Sequence, residues 1–383
     1  MLKIVILLAS LLLIAAPSIN GILPEIRDYL GITQTQSELL ITLPNIVKMF
    51  ATILSNSLIN RIGMKKTVIV GLIVIGIGGV MPVFLASGYF YILLSRFIFG
   101  AGVGIMSTSA VIYIRILFDE HECATLMGYR SSIEMLGQSI LALIIGALAV
   151  IRWNISFLAY GIAFVIAIMF AIVVPEAKNE SSQNKDMYKD GIEKMSPLVY
   201  PIALFVCLMI MSASMITIRF PAMATEIMGD GYNSSIFVAL KPIIGIIAAF
   251  FFGKLSHLLG RKLLYLGMIN LIVSVFMMAF AGQNFVVLVI GFLLSSVVLG
   301  WIIPFVFNAI ARISTEKNQQ IAMTFVLSGG NIGVFIMPFI VRLLEVILRN
   351  DALSAPYPIL GIVLCMTLIA VLMVGKSKYF KKA

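Results

Sequence analysis

The chain has 383 residues, of which 61% are hydrophobic and only 11% charged, and its mean hydropathy is +1.09. Water-soluble domains run near half apolar and about a quarter charged, so this composition excludes a soluble enzyme or scaffold and makes lipid the solvent. A formal charge of +10 would suggest nucleic acid in a soluble protein; in a membrane chain it matters by side, because basic loops face the cytoplasm.

Taken from the N-terminus, Met1, Leu2 and Lys3 precede an apolar run that has the start of a signal peptide. The run continues to Leu23, about the twenty residues a spanning helix needs, and eleven more such runs follow, so it is read as helix 1. The others are predicted at 36–58, 66–86, 89–114, 128–150, 154–174, 199–219, 234–256, 262–281, 285–311, 320–342 and 355–375. The expected fold class is therefore all-α, with twelve transmembrane helices in two six-helix bundles, 1–175 and 198–383. The polar stretch 176–197, rich in Lys, Glu, Asp, Asn and Ser, is the linker between them. Cys123, Cys207 and Cys365 are too far apart for a metal or disulfide framework and read as small buried hydrophobes.

Lys and Arg cluster in the loops after the even helices and at the ends, as with Arg61, Lys65, Lys66, Lys178, Lys185, Lys189, Lys194, Lys254, Arg261, Lys262, Arg312 and Lys317, and Lys376, Lys378, Lys381 and Lys382. Both termini are therefore expected in the cytoplasm of a cell bounded by this membrane. The halves repeat at a spacing of 197 residues: Pro24 with Pro221, each closing an odd helix, Gly63 with Gly260, Lys65 with Lys262, and Arg115 with Arg312. Such parallel repeats place a substrate site near the midplane, between the halves.

Residues Asn56–Lys66, NSLINRIGMKK, resemble the loop between helices 2 and 3 of the major facilitator superfamily, G-x-L-x-D-R-x-G-R-R/K. Gly253–Lys262, GKLSHLLGRK, resembles its second copy, and Arg96-Phe-Ile-Phe-Gly100 its helix 4 element. The resemblance spans the chain and implies a secondary transporter that works by alternating access. It assigns gating to Asn60, Arg61, Gly63, Lys65, Asp119, Gly253, Gly260 and Arg261. Asn60 stands where the family has Asp, in an ion-pair cluster; Arg61 is expected to pair with Asp119 or Glu120 instead. Helix 5 lacks the Gly-Pro motif of many drug exporters.

Charge at membrane depth is expensive and marks functional candidates. Lys48 on helix 2, Arg96 on helix 4, Glu134 on helix 5 and Lys241 on helix 8 qualify, three cations against one acid. Lys48 and Lys241 sit on similar faces of equivalent helices, as paired basic residues do in the family's nitrate carriers, and two cations there would clamp an anion. The competing reading has them snorkel or bond a helix end. Arg96 matches the family's helix 4 arginine, tied to proton or substrate coupling. Glu134 is the candidate proton carrier, and an i, i+4 pair with Arg130 is the alternative. Weaker candidates are Ser107, Thr108, Ser109, Trp301, Asn308 and Asn331, the last within SGGNIG. Gly100 and Gly104 read as a packing face.

No enzyme signature survives inspection. Gly375-Lys376-Ser377 imitates the end of a phosphate loop, but Ala370 stands where the first glycine is required, and His121-Glu122 has no second histidine at the spacing a zinc site needs. The expectation is a prokaryotic plasma-membrane transporter, monomeric and without a cofactor, that moves a small anion with protons as coupling ion. Export of lipophilic drugs by proton antiport is the alternative.

Overall fold

The computed structural model describes residues 2–176 and 196–375. The linker lysines Lys178, Lys185, Lys189 and Lys194, and the terminal Lys376, Lys378, Lys381 and Lys382, lie outside the described residues, as do the side chains of Thr108, Arg115 and Glu120.

The described residues form helices and no strand. Helix α1 has two arms, Leu2–Leu12 and Ala16–Leu30, bent by 53°. Then come α2 (Gln34–Ile62), α3 (Met64–Phe84), α4 (Tyr89–Leu117), α5 (Glu120–Ala149), α6 (Ile155–Val173), α7 (Val199–Met228), α8 (Ser235–Leu259), α9 (Lys262–Phe280), α10 (Phe285–Ile313), α11 (Glu316–Leu348) and α12 (Tyr357–Gly375). Ten are each long and apolar enough to cross a bilayer, the bent α1 makes an eleventh, and α12 is a shorter apolar helix. Twelve spans fit this set.

Helix starts follow capping chemistry. Thr33 and Gln36 close a reciprocal capping box on α2, and Asp119 accepts the Glu122 amide at 2.8 Å to start α5. Bulky apolar side chains such as Phe84 and Phe250 stand almost fully exposed on helix faces that acyl chains would cover.

The chain divides into two compact units. Unit 1 comprises Met1–Asp186 with Asn233–Pro242, the first turns of α8; unit 2 comprises Met187–Tyr232 and Ile243–Ala383. In unit 1, α4 packs against α2 and α3, α3 against α6, and α5 against α1. Glycine makes the first contacts close. A Cβ on Gly100 would meet the Pro44 backbone, and one on Gly104 would meet the Lys48 carbonyl oxygen at 2.5 Å. In unit 2, α11 packs against α7, and α9 lies between α10 and α12. Gly329, Gly330 and Gly333 seat α11 on Ala203, Ile210 and Cys207 of α7, so the glycines of SGGNIG make a packing face.

The 197-residue repeat has a structural counterpart. Gly63 bonds the Ile59 carbonyl with φ +86°, and Gly260 bonds the Ser256 carbonyl with φ +50°. Each unit thus ends an even helix on a glycine at positive φ, where other residues are strained.

One expectation fails and part of another does. Pro24 and Pro221 do not close their helices. Pro24 stands at the first turn of the segment Leu23–Leu30, where its missing N–H is harmless, and Pro221 is inside α7, which runs on to Met228. Of the two partners expected for Arg61, no ion pair joins it to Asp119 among the described residues, and the Glu120 side chain lies outside them. The Asp119 carboxylate is spent as the cap of α5, and Arg61 is exposed.

Candidate functional site

The bend in α1 organises unit 1. Pro17 has no N–H, so the carbonyl of Leu13, four residues earlier, loses its helical partner, and the chain breaks over Leu13–Ala15. An unpaired carbonyl in a membrane span is costly. Lys48 Nζ donates to the Leu13 oxygen at 3.3 Å. The same remedy recurs in α3: Pro82 frees the Gly78 carbonyl, and Ser95 Oγ donates to it at 2.6 Å. The reading in which Lys48 bonds a helix end therefore holds for this residue, and the end is one made by a proline.

The other side of the break is held from α6. Tyr160 Oη donates to the Ala15 carbonyl at 3.0 Å, and that oxygen also accepts the Ser18 amide. Tyr160 belongs to an aromatic box around Arg96. The guanidinium carbon lies 5.0 Å from the Phe99 ring centre, 5.0 Å from Phe157 and 5.2 Å from Tyr160. Arg96 is fully buried, its Nη2 lies 3.4 Å from Ser95 Oγ, the Tyr160 hydroxyl also interacts with the guanidinium, and Nε and Nη1 have no hydrogen-bond partner among the described residues. Three ring faces and the Tyr160 hydroxyl stabilise this cation.

Glu134 stands 2.8 Å from Arg130 Nη2, one turn away on α5, with both side chains largely buried. Their approach is off the hydrogen-bonding axis, and Glu134 Oε1 has no bond of its own. Both charges also act on Lys48. Glu134 thus has a close contact with Arg130 and an electrostatic link to Lys48. α5 sits near the break because Gly137 lets it meet the Leu11 backbone, and Ser18 Oγ donates to the Gln138 carbonyl at 3.1 Å. On the α2 side, Thr52 Oγ1 bonds the Lys48 carbonyl at 2.7 Å and lies 3.2 Å from Ser107 Oγ.

Lys48, Glu134, Arg130 and Ser107 are therefore brought to one region, with Arg96 behind it. Lys241 is buried in the α8 segment that belongs to unit 1. Ser109 is buried with no bond to its hydroxyl among the described residues. The unit 2 candidates form no such cluster. Trp301, on a π-helical turn of α10, donates from Nε1 to the Ala248 carbonyl at 3.0 Å; Asn308 is exposed and Asn331 half-buried.

Sequence reading missed two buried acids. Glu38 of α2 is fully buried and accepts from Gln34 Nε2 at 3.0 Å. Glu345 of α11 pairs with the fully buried Arg219 of α7 at 2.6 Å, and its second oxygen takes Arg342 at 3.3 Å. With Arg219, Glu345 and Glu38 added, the buried candidates are four cations against three acids, so the excess of cations is smaller than the sequence suggested. Arg219 and Glu345 lie near helix ends longer than hydropathy alone gives.

These observations can be set beside known proteins. The family profile described as Major Facilitator Superfamily matches residues 5–282 and again residues 202–379. The chain belongs to the major facilitator superfamily. It is a multi-pass membrane transporter of the secondary active type and not an enzyme. No curated protein sequence matches it. Among solved structures, the chain resembles a POT family transporter in complex with 5-aminolevulinic acid (TM-score 0.79, 12% identity, 97% of this chain and 95% of that one). It also resembles the inward-open xylose transporter XylE from E. coli (0.74, 16%, 98% and 95%) and the nucleoside transporter NupG (0.72, 12%, 97% and 99%). At these identities the likeness is one of fold.

Proposed function

We propose that this chain moves a small anion by alternating access with protons as the coupling ion, and that Lys48 is its substrate cation and Glu134 its proton carrier. The observation that carries the reading is the charge of one cluster. Lys48 and Arg130 face Glu134, so the group carries a net +1 with Glu134 ionised and +2 with it protonated. A proton on Glu134 leaves two cations with no carboxylate, and an anion then offsets them. Anion and proton bind more strongly together than either alone, the thermodynamic condition for symport.

Lys48 is half-buried and its ammonium is held by one carbonyl, with no ion pair among the described residues, so an anion can replace Leu13 as acceptor. Ser107, whose hydroxyl meets the Thr52 hydroxyl that bonds the Lys48 backbone, is a further candidate, and Lys241 is the second cation assigned to the substrate. In this reading Arg96, sealed in its box, acts on α1 and not on the substrate. Trp301, Asn308 and Asn331, in unit 2, are the remaining substrate candidates. The glycine turns at Gly63 and Gly260, with Asn60, Arg61, Lys65, Asp119, Gly253 and Arg261, form the gating loops. The distribution of Lys and Arg supports cytoplasmic termini.

The test is thermal stability of the purified protein against nitrate, lactate and similar small anions, and against lipophilic cations. A ligand near a hundred times its Kd stabilises the folded state by about 2.7 kcal/mol. A melting shift with an anion that disappears in Lys48→Gln supports the reading. A shift with lipophilic cations alone overturns it in favour of drug export.

A further inference from the structure

We propose that Tyr160 is a positioning residue for transport, its hydroxyl pinning the Ala15 carbonyl and so holding the second arm of α1 at its bent angle. The argument starts from the two donors at the break. Lys48, from α2, takes the carbonyl of Leu13, and Tyr160, from α6, takes that of Ala15. The two carbonyls flank the points where the arms meet, so each arm is tied to a different helix. A break held by side-chain donors on both sides, one flexible and one fixed, has the form of a hinge, in which a few residues at element ends absorb a large change of angle.

The two ties differ in rigidity. Lys48 is a flexible chain that other charges act on. Tyr160 cannot yield. Its ring packs edge-on to Phe99 with centroids 5.0 Å apart, and its Cβ fills the face of α3 where Gly79 has no side chain. The buried Arg96 adds the constraint that makes the box a unit. With no carboxylate partner among the described residues, it depends on the faces of Phe99, Phe157 and Tyr160 and on the Tyr160 hydroxyl, and a shift of any one of them would uncover a buried charge. Arg96 is thus the lock on Tyr160, and Tyr160 the lock on the second arm. This assignment holds whatever solute the protein carries.

The full chain, with its three native cysteines replaced, is labelled with nitroxides at Ile4→Cys and Asp28→Cys, both exposed and near opposite ends of α1. Pulsed dipolar spectroscopy reads the distance between them in detergent and in vesicles. Straightening the 53° bend lengthens that distance by about 4 Å at 1.5 Å per residue. The parent protein gives one dominant distance. Tyr160→Phe, which removes the hydroxyl and keeps the ring, is expected to add a longer population of at least a fifth of the molecules. Arg96→Met should do the same, and Arg96→Lys, which keeps the cation, should restore most of the parent distribution. An unchanged distribution in Tyr160→Phe overturns the proposal. If Tyr160→Phe loosens the whole unit, amide exchange of α3 and α4 rises along with that of Ala16–Ile22, and the residue is a packing residue only. If it fails to fold, the Arg96→Met and Arg96→Lys pair decides by the same distance.

Discussion

Lys48 donates its ammonium to the carbonyl of Leu13, the group that Pro17 deprives of an amide. The pair predicts a coupling between two residues that lie 31 positions apart and do not bond each other. Pro17→Ala restores an N–H to the break and should raise the melting temperature. Lys48→Met should destabilise the parent by roughly 1–3 kcal/mol, the penalty of a buried unsatisfied acceptor, and by less than half as much in the Pro17→Ala background. Denaturation of the four proteins as a double-mutant cycle checks this; additive effects would dissociate Lys48 from the break.

The buried pair of unit 2 predicts an asymmetry of single and double changes. Arg219→Met leaves Glu345 buried against α7 with only the half-exposed Arg342, and should cost about 3–5 kcal/mol. Arg219→Met combined with Glu345→Leu removes both charges and should recover most of that loss. Melting of the single and double variants reads the difference, and equal losses would show that the pair is not what Arg219 is for.

Glycine positions give a third expectation. Gly79→Ala places a methyl against Tyr160, and Gly102→Ala places one 2.6 Å from the Ile75 amide, so each should cost roughly 1–3 kcal/mol by overpacking. Gly128→Ala meets nothing within 4 Å and removes a flexible residue from the α5 helix, so it should be neutral or slightly stabilising. A melting series of the three variants checks the order.

Much of this was legible in the sequence, and the rest was hidden for physical reasons. Hydropathy found the spans because each must be apolar over about twenty residues. It could not find the bend in α1, because Leu11 to Ile19 is apolar on both sides of the break; the signal was Pro17, whose missing amide fixes which carbonyl needs a donor. Lys48, Arg96 and Glu134 stood out as charges in apolar runs, and the structure places them around that break. What each does depended on partners far along the chain. The Tyr160 hydroxyl is 145 residues from Ala15, and nothing in local sequence connects them. Glu345 was missed because it follows Arg342 near the end of α11, in a stretch that reads as a polar helix end, and only tertiary packing shows it buried against Arg219.

Glu134 yields a prediction that separates coupling from binding. Glu134→Gln mimics the protonated acid, so the cluster holds its second uncompensated charge at every pH. Exchange of anion across a vesicle membrane should persist, while accumulation against a gradient is lost. Equal loss of both would make Glu134 a structural partner of Arg130.

The central claim, that the cluster at the α1 break moves an anion with a proton, is tested most directly by uptake into proteoliposomes. Labelled small anions are supplied outside, and an inward proton gradient is imposed across vesicles containing the parent protein, Lys48→Gln or Glu134→Gln. The account predicts gradient-driven accumulation by the parent, at least a tenfold lower rate in Lys48→Gln, and equilibration without accumulation in Glu134→Gln. Anion accumulation that proceeds at the parental level in both variants would contradict it.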